Sequence, residues 1–224
     1  MTIEYIIELD KKKTVYYQVD LNRKYEVMEP EDTPEKWVLL DFHKCPVCSL
    51  NSKKSKFCPV ALDIQDILDL FKTIKSYEYV QVTVNTNERT YFKECDAQIV
   101  VGSLFGLIMA TSHCPILCKL KPMAIFHLPF STYEETLART IGFYLLSDYL
   151  KTKNGEEPDT KLLGLRKLYK ELEIINRSLK NRISEASLED SSVNAIVNFF
   201  SLSILIEKSL NEQVEDLKDY IEMF

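Results

Sequence analysis

Glycine is scarce in this chain, at five residues of 224, about 2% against roughly 7% in ordinary proteins. No two of the five (Gly102, Gly106, Gly142, Gly155, Gly164) sit together in a phosphate-cradling loop. A dinucleotide fingerprint, a P-loop and a nucleophile elbow all need glycines at fixed offsets, so nucleotide-dependent chemistry of those kinds is disfavoured. Basic excess is missing too: 28 Lys+Arg stand against 34 Asp+Glu, for a formal charge of −6. A net acidic chain gains nothing from counterion release, which argues against broad nucleic-acid binding. The runs Lys11-Lys12-Lys13 and Lys53-Lys54-Ser55-Lys56 read as a solvated hairpin turn and a solvated loop. Long apolar runs are absent as well. The longest, about Ile99 to Ala110, is far short of the roughly 20 residues that span a bilayer. Glu4, Glu8 and Asp10 stand where a signal peptide would be cationic and then apolar. The expectation is a cytoplasmic protein that engages neither membrane nor nucleic acid.

The chain is nonetheless built to fold, with 46% hydrophobic and 28% charged residues. Residues 3–9 and 14–20 alternate around Asp10-Lys11-Lys12-Lys13, as a β-hairpin does. Trp37 to Phe42 reads as a short third strand, and 79–84 with 89–92 as a second hairpin. Val60, Ile64, Ile67, Leu68 and Phe71 fall on one helical face, with Asp63, Asp66 and Asp69 opposite. From Asp96 the pattern turns helical. Asp96 opens an almost wholly apolar helix to about Thr111, and Ser131 or Thr132 caps another to about Lys151. Pro158-Asp159 opens a third, and Asp190 a fourth that continues a three-four seam through Leu210, Val214, Leu217 and Ile221. The expected fold is α+β: a small, mainly antiparallel sheet with a metal-binding Cys/His knuckle over residues 1–128, then a C-terminal helical bundle over 129–224, either as two parts or as one continuous domain. Asn176, Asn194 and Asn198 lie near the bundle seams and read as exposed seam edges.

Cysteine and histidine are distributed unevenly. All six Cys lie between Cys45 and Cys118, all three His between His43 and His127, and residues 128–224 have neither. In a reducing compartment such a cluster points to metal or redox use before disulfides. His43-Lys44-Cys45-Pro46-Val47-Cys48 is followed by Cys58-Pro59. A Cys-Pro-x-Cys turn aims two thiolates at one point, and zinc favours four such ligands in a tetrahedron. Cys58, before a proline at a helix start, stands where the dipole and free N–H groups stabilise a thiolate. The expected site is structural Zn²⁺ on His43, Cys45, Cys48 and Cys58, His43 being preferred because the shorter loop costs less entropy to close. Cys114, again before a proline, is the rival fourth ligand, and with it an iron–sulfur cluster becomes the alternative. The Cys-Pro pairs also echo short haem-responsive motifs, although proline's role at turns explains them. Cys95 reads as packed. His127, Glu135 and Arg139 offer a weaker polar cluster in an apolar wall, read as structural before catalytic.

The segments His43-x-Cys45-Pro46-x-Cys48, Cys58-Pro59-Val60-Ala61, Ser112-His113-Cys114-Pro115 and Phe126-His127-Leu128-Pro129-Phe130 with Glu134-Glu135-Thr136 resemble a family of uncharacterised bacterial proteins. The resemblance covers most of the chain. It implies a bacterial cytoplasmic protein and carries no activity with it. The function expected from the residues is a non-enzymatic regulatory or scaffolding protein, held by zinc and acting through a protein partner or a homodimer formed by the C-terminal helix. A metal- or thiol-dependent sensor or enzyme using Cys114 or His127 is the competing reading.

Overall fold

The computed structural model describes residues 1–9, 13–23, 35–71, 74–185, 190–212 and 214–221, and only the backbone for 190–200. The Lys11-Lys12 part of the first basic run, the Glu- and Pro-rich segment 24–34 and the side chains of Asn194 and Asn198 therefore lie outside the described residues.

Two hairpins build one sheet. Strands β1 (Thr2–Leu9) and β2 (Lys13–Asp20) form the first, β3 (Tyr79–Asn85) and β4 (Thr90–Asp96) the second. The antiparallel pairing of β1 with β3 joins them in the order β2-β1-β3-β4. Because side chains alternate along a strand, Ile3, Tyr5, Ile7, Leu9, Val80, Val82 and Val84 all enter the core. The registers Ile6↔Tyr16, Ile6↔Thr83 and Thr83↔Phe92 align a row on the opposite face, where Tyr16 and Phe92 are exposed. The expected third strand does not form. Lys36–Val38 is a single 3₁₀ turn, and Leu39 makes only an isolated bridge with Phe57. Its apolar side chains are buried all the same, since Trp37, Val38 and Leu40 pack inward.

Helix α1 (Pro59–Phe71) buries the face read from its periodicity. Asp66 and Asp69 are exposed, but Asp63 is not a solvated residue: Arg23 holds it at 3.0 Å. Burial pushes Asp63 up to about 6 even so, with Arg23 opposing the shift. Helix α2 (Ala97–Thr111) is buried on most sides, and Asp96 occupies its N-cap position without a side-chain cap bond. A short helix, α3 (Lys121–Ile125), leads to α4 (Tyr133–Thr152), which begins with a complete capping box between Thr132 and Glu135. Helix α5 (Leu163–Glu185) starts later than Pro158. Asp159 accepts the Gly164 N–H at 2.8 Å ahead of its first turn.

Helix α6 (Asp190–Asn211) packs along both α5 and α2, so the helical half is continuous with the sheet-bearing half. One cluster of buried apolar side chains runs from Ile3 to Leu217. The final helix is shorter than its seam suggests. Val214 adopts φ 63°, a 3₁₀ turn follows at Glu215–Leu217, and a separate short helix, α7 (Lys218–Ile221), comes after it. Leu210 and Leu217 are thereby buried within the chain, and the Tyr133 hydroxyl donates to Asp216 at 2.6 Å. Asn176 is buried rather than at an exposed edge, and its amide donates to Ser203 Oγ at 2.6 Å. No helix among the described residues is long and apolar enough to cross a membrane.

Helix α4 buries only Leu137, Thr140 and Asp148. Its stability consequently leans on its ends. Thr132→Ala removes the cap acceptor and is expected to cost about 1 kcal/mol of unfolding free energy, measured by urea titration.

Candidate functional site

Two cavities hold the chemistry-bearing residues. The smaller, about 30 Å³, is lined by Cys45, Cys48, Cys58 and Cys114 together with Ile175, Leu179 and Arg182. Each cysteine arrives by a local rule. Pro46 stiffens a tight turn in which the Cys48 N–H donates to the Cys45 carbonyl at 2.9 Å. Cys58 sits immediately before Pro59, its carbonyl accepting from Leu62 N–H at 3.0 Å, which makes it the first cap of α1. Cys114 repeats the arrangement before Pro115, its carbonyl accepting from Cys118 N–H at 3.0 Å. Both cap thiols meet free backbone N–H groups, of Ala61 and Val60 for Cys58 and of Leu117 and Ile116 for Cys114. Burial outweighs those donors and raises both thiols, and it pushes Cys45 up to about 11. Cys45, Cys58 and Cys114 thus hold their protons near neutral pH. As they are oriented, no group of three or more His, Cys, Asp or Glu among the described residues is arranged to hold a metal ion.

His43 does not line this cavity. Its backbone takes φ 44°, and its Nε2 lies 2.6 Å from Glu185 Oε1 at the end of α5. The three cysteines expected together do share a wall, and Cys114 joins them from 56 residues further along the chain than Cys58.

Arg182 is the residue that sequence reasoning missed. Only 1% exposed, its guanidinium donates to the carbonyls of Trp37, Leu39 and Leu40 at 2.7, 2.6 and 2.8 Å. Its Nε has no acceptor, and no carboxylate among the described residues lies within ion-pair distance. A signal existed: Arg182 falls three residues after Leu179 and seven after Ile175, on the apolar stripe of α5.

The larger cavity, about 290 Å³, lies between α2, α4, α5 and α6. At one end Tyr5 Oη is 2.8 Å from Ser103 Oγ and 2.6 Å from His127 Nε2. Burial raises the Tyr5 phenol, so it keeps its proton. Burial, followed by the nearby Arg139, lowers His127 to about 3, so its imidazole is neutral and Tyr5 donates to it. The Phe130 N–H donates to Ser103 Oγ at 3.3 Å. A base this weak removes protons poorly at neutral pH, which favours a structural role for His127. Glu135 and Arg139 do not bond to it. The Glu135 carboxylate accepts the Thr132 N–H at 2.8 Å, and Arg139 donates to the Met123 carbonyl at 3.2 Å and to that of Phe126. Cys95 is packed in β4 opposite Val80, and Cys118 is exposed.

Sheet, helices and two cavities define an α+β protein with a cysteine-lined site and a separate apolar one. The chain belongs to a family described as a domain of unknown function (DUF6901), whose model matches residues 3–222. No curated protein and no solved structure shows a match to it.

Neutral burial of His127 has a thermodynamic signature. The unfolded chain protonates this histidine near its ordinary pKa, about 6.5, and the folded chain only near 3. Its contribution is therefore complete above about pH 6.5 and is lost as pH falls towards 3. Between pH 7.5 and 5 the native protein should lose about 2 kcal/mol more stability than His127→Gln, which accepts from Tyr5 without titrating. Urea unfolding at both pH values measures the difference, and parallel losses would refute it.

Proposed function

We propose that this chain is a non-enzymatic, cytoplasmic regulatory or scaffolding protein, organised by one structural zinc ion and acting through protein contacts. The metal is held by Cys45, Cys48, Cys58 and Cys114, with Cys114 in the position that loop length alone assigns to His43. The observation that carries this reading is the charge of Arg182. A lone buried cation is costly, by several kcal/mol even after relaxation, unless an anion compensates it. Among the described residues, four thiols share its cavity wall, and its charge acts on two of them, Cys45 and Cys58. Zinc binding deprotonates its ligands and draws them inward, so a four-thiolate site carries two net negative charges beside the guanidinium. The cavity's 30 Å³ suits a single ion better than a cluster of several iron and sulfur atoms. Four protein ligands leave no open position for substrate, which is the mark of a structural site.

Contact with partners is supported by the outer faces of the helices. Leu145, Leu146, Tyr149 and Leu150 on α4 and Ile204 and Leu205 on α6 are 42–61% exposed. Exposed apolar patches of this kind accompany interfaces. At the C-terminal end Tyr220 and Ile221 are exposed, whereas Leu210 and Leu217 are covered by the chain itself. Self-association through that end therefore rests on α7 and not on a long free seam.

Protein purified without chelator should contain about one zinc per chain by elemental mass spectrometry and be colourless. Cys114→Ser should fall below a third of an equivalent and melt earlier, whereas His43→Ala should keep its zinc. Retention in Cys114→Ser with loss in His43→Ala would return the site to His43, and a brown protein absorbing near 400 nm would replace zinc with iron–sulfur. Light scattering at micromolar concentrations tests association: a mass of 26 kDa throughout would leave partner proteins, not a second copy, as the target of the exposed faces.

A further inference from the structure

The apolar cavity has a charge pattern that selects a ligand. Most of its polar lining is already engaged: Ser103 and His127 with Tyr5, Asn176 with Ser203, and Ser131 with Thr136 at 2.9 Å. Arg139 differs. Its guanidinium has five N–H donors, of which one nitrogen serves the Met123 and Phe126 carbonyls. No carboxylate among the described residues lies within ion-pair distance of it: Glu135 acts on its charge through space but accepts the Thr132 N–H, and the guanidinium lies over the Phe143 ring at 6.0 Å. Gln98 and Tyr169 aside, the remaining wall is mainly hydrocarbon, from Leu107, Leu172, Leu202 and Ile206, with the 40%-exposed Ile99 among its residues. Gly102 contributes open space, because a Cβ added there would meet no atom within 4 Å. A space of about 290 Å³ is many times the roughly 10–15 Å³ that holds one water, so it admits a molecule with a chain of several carbons.

We propose that this cavity binds one medium-chain monocarboxylate, its alkyl tail lying along the Gly102 face of α2 and its carboxylate accepting from Arg139. The tail gains by leaving water for an apolar wall, and the carboxylate takes charge-assisted bonds from the guanidinium N–H groups that the two carbonyls leave unused. Shape and charge thus ask for the same amphiphile. A neutral molecule of equal length would forgo the charge-assisted bonds, and a short carboxylate would leave the cavity unfilled.

Isothermal titration of the full-length, delipidated chain with decanoate below its micellar concentration tests this. One decanoate should bind per chain, with decanol at least tenfold weaker and acetate undetectable. Gly102→Leu, which fills the cavity from a helical position with room for a side chain, should abolish decanoate binding without lowering the melting temperature. Arg139→Gln should weaken decanoate at least tenfold and leave decanol unchanged, with circular dichroism confirming the fold. Absence of decanoate binding, decanol binding as tightly as decanoate, or full binding by Gly102→Leu would each overturn the proposal.

Discussion

A buried guanidinium organises the first half of the molecule. Arg182 reaches from α5 to the backbone carbonyls of Trp37, Leu39 and Leu40, while that of Val38 between them accepts from the Cys58 N–H at 2.8 Å. Backbone acceptors buried from water must be satisfied somewhere, and here one side chain does it for three of them. That single clip explains why Trp37 to Phe42 is apolar like a strand yet joins no sheet. It also ties α5 to the segment that precedes the Cys45–Cys48 turn, so the cysteine cavity lies at the junction of three stretches distant in sequence. A charged clip is a demanding device. Its hydrogen bonds are strong, but no carboxylate among the described residues lies within ion-pair distance of its charge.

How legible this was depended on the range of the interaction. The hairpins, α1, α2 and the Thr132 cap follow from period-two alternation, period-3.6 stripes and a four-residue capping signature, all local properties of the chain. Trp37 to Phe42 was misread because burial and strand pairing leave the same apolar pattern, and only the distant Arg182 separates them. The long last helix was misread for a related reason. Leu210, Val214 and Leu217 keep helical spacing, yet Val214 takes a left-handed backbone and the chain folds back to place Asp216 on Tyr133. A seam of apolar residues specifies what is buried, not which partner buries it.

The candidate site was legible in composition and incomplete in geometry. Cys45, Cys48 and Cys58 were grouped by spacing, and they do share a cavity. Loop entropy pointed to His43 as the nearest fourth group. The positive φ at His43 and its contact with Glu185 turn it elsewhere, while Cys114 arrives on the turn after α2. As a guide to which side chains line this cavity the Cys-Pro step served better, because it marks a thiol held at a helical start wherever it occurs. Tyr5 and Ser103 carried no comparable signal, since a tyrosine on an alternating strand and a serine within an apolar helix are ordinary residues until their contacts are known.

Helix α5 is a wall of both cavities. Ile175, Leu179 and Arg182 border the thiols, while Leu172 and Asn176 border the apolar space, so the two linings interleave within three turns. Packed helices move as bodies, because close-packed interiors transmit a displacement where a liquid would absorb it. Drawing thiolates inward around an ion would pull on the segment Arg182 holds, and filling the apolar space would push against Leu172 on the same helix. The Asn176 bond to Ser203 makes α6 a participant, since a shift of α5 must either carry α6 along or break a buried amide contact. A two-state element that both sites bias is the physical requirement for coupling between them. In this fold α5, with α6 tied to it, is the element placed to meet that requirement.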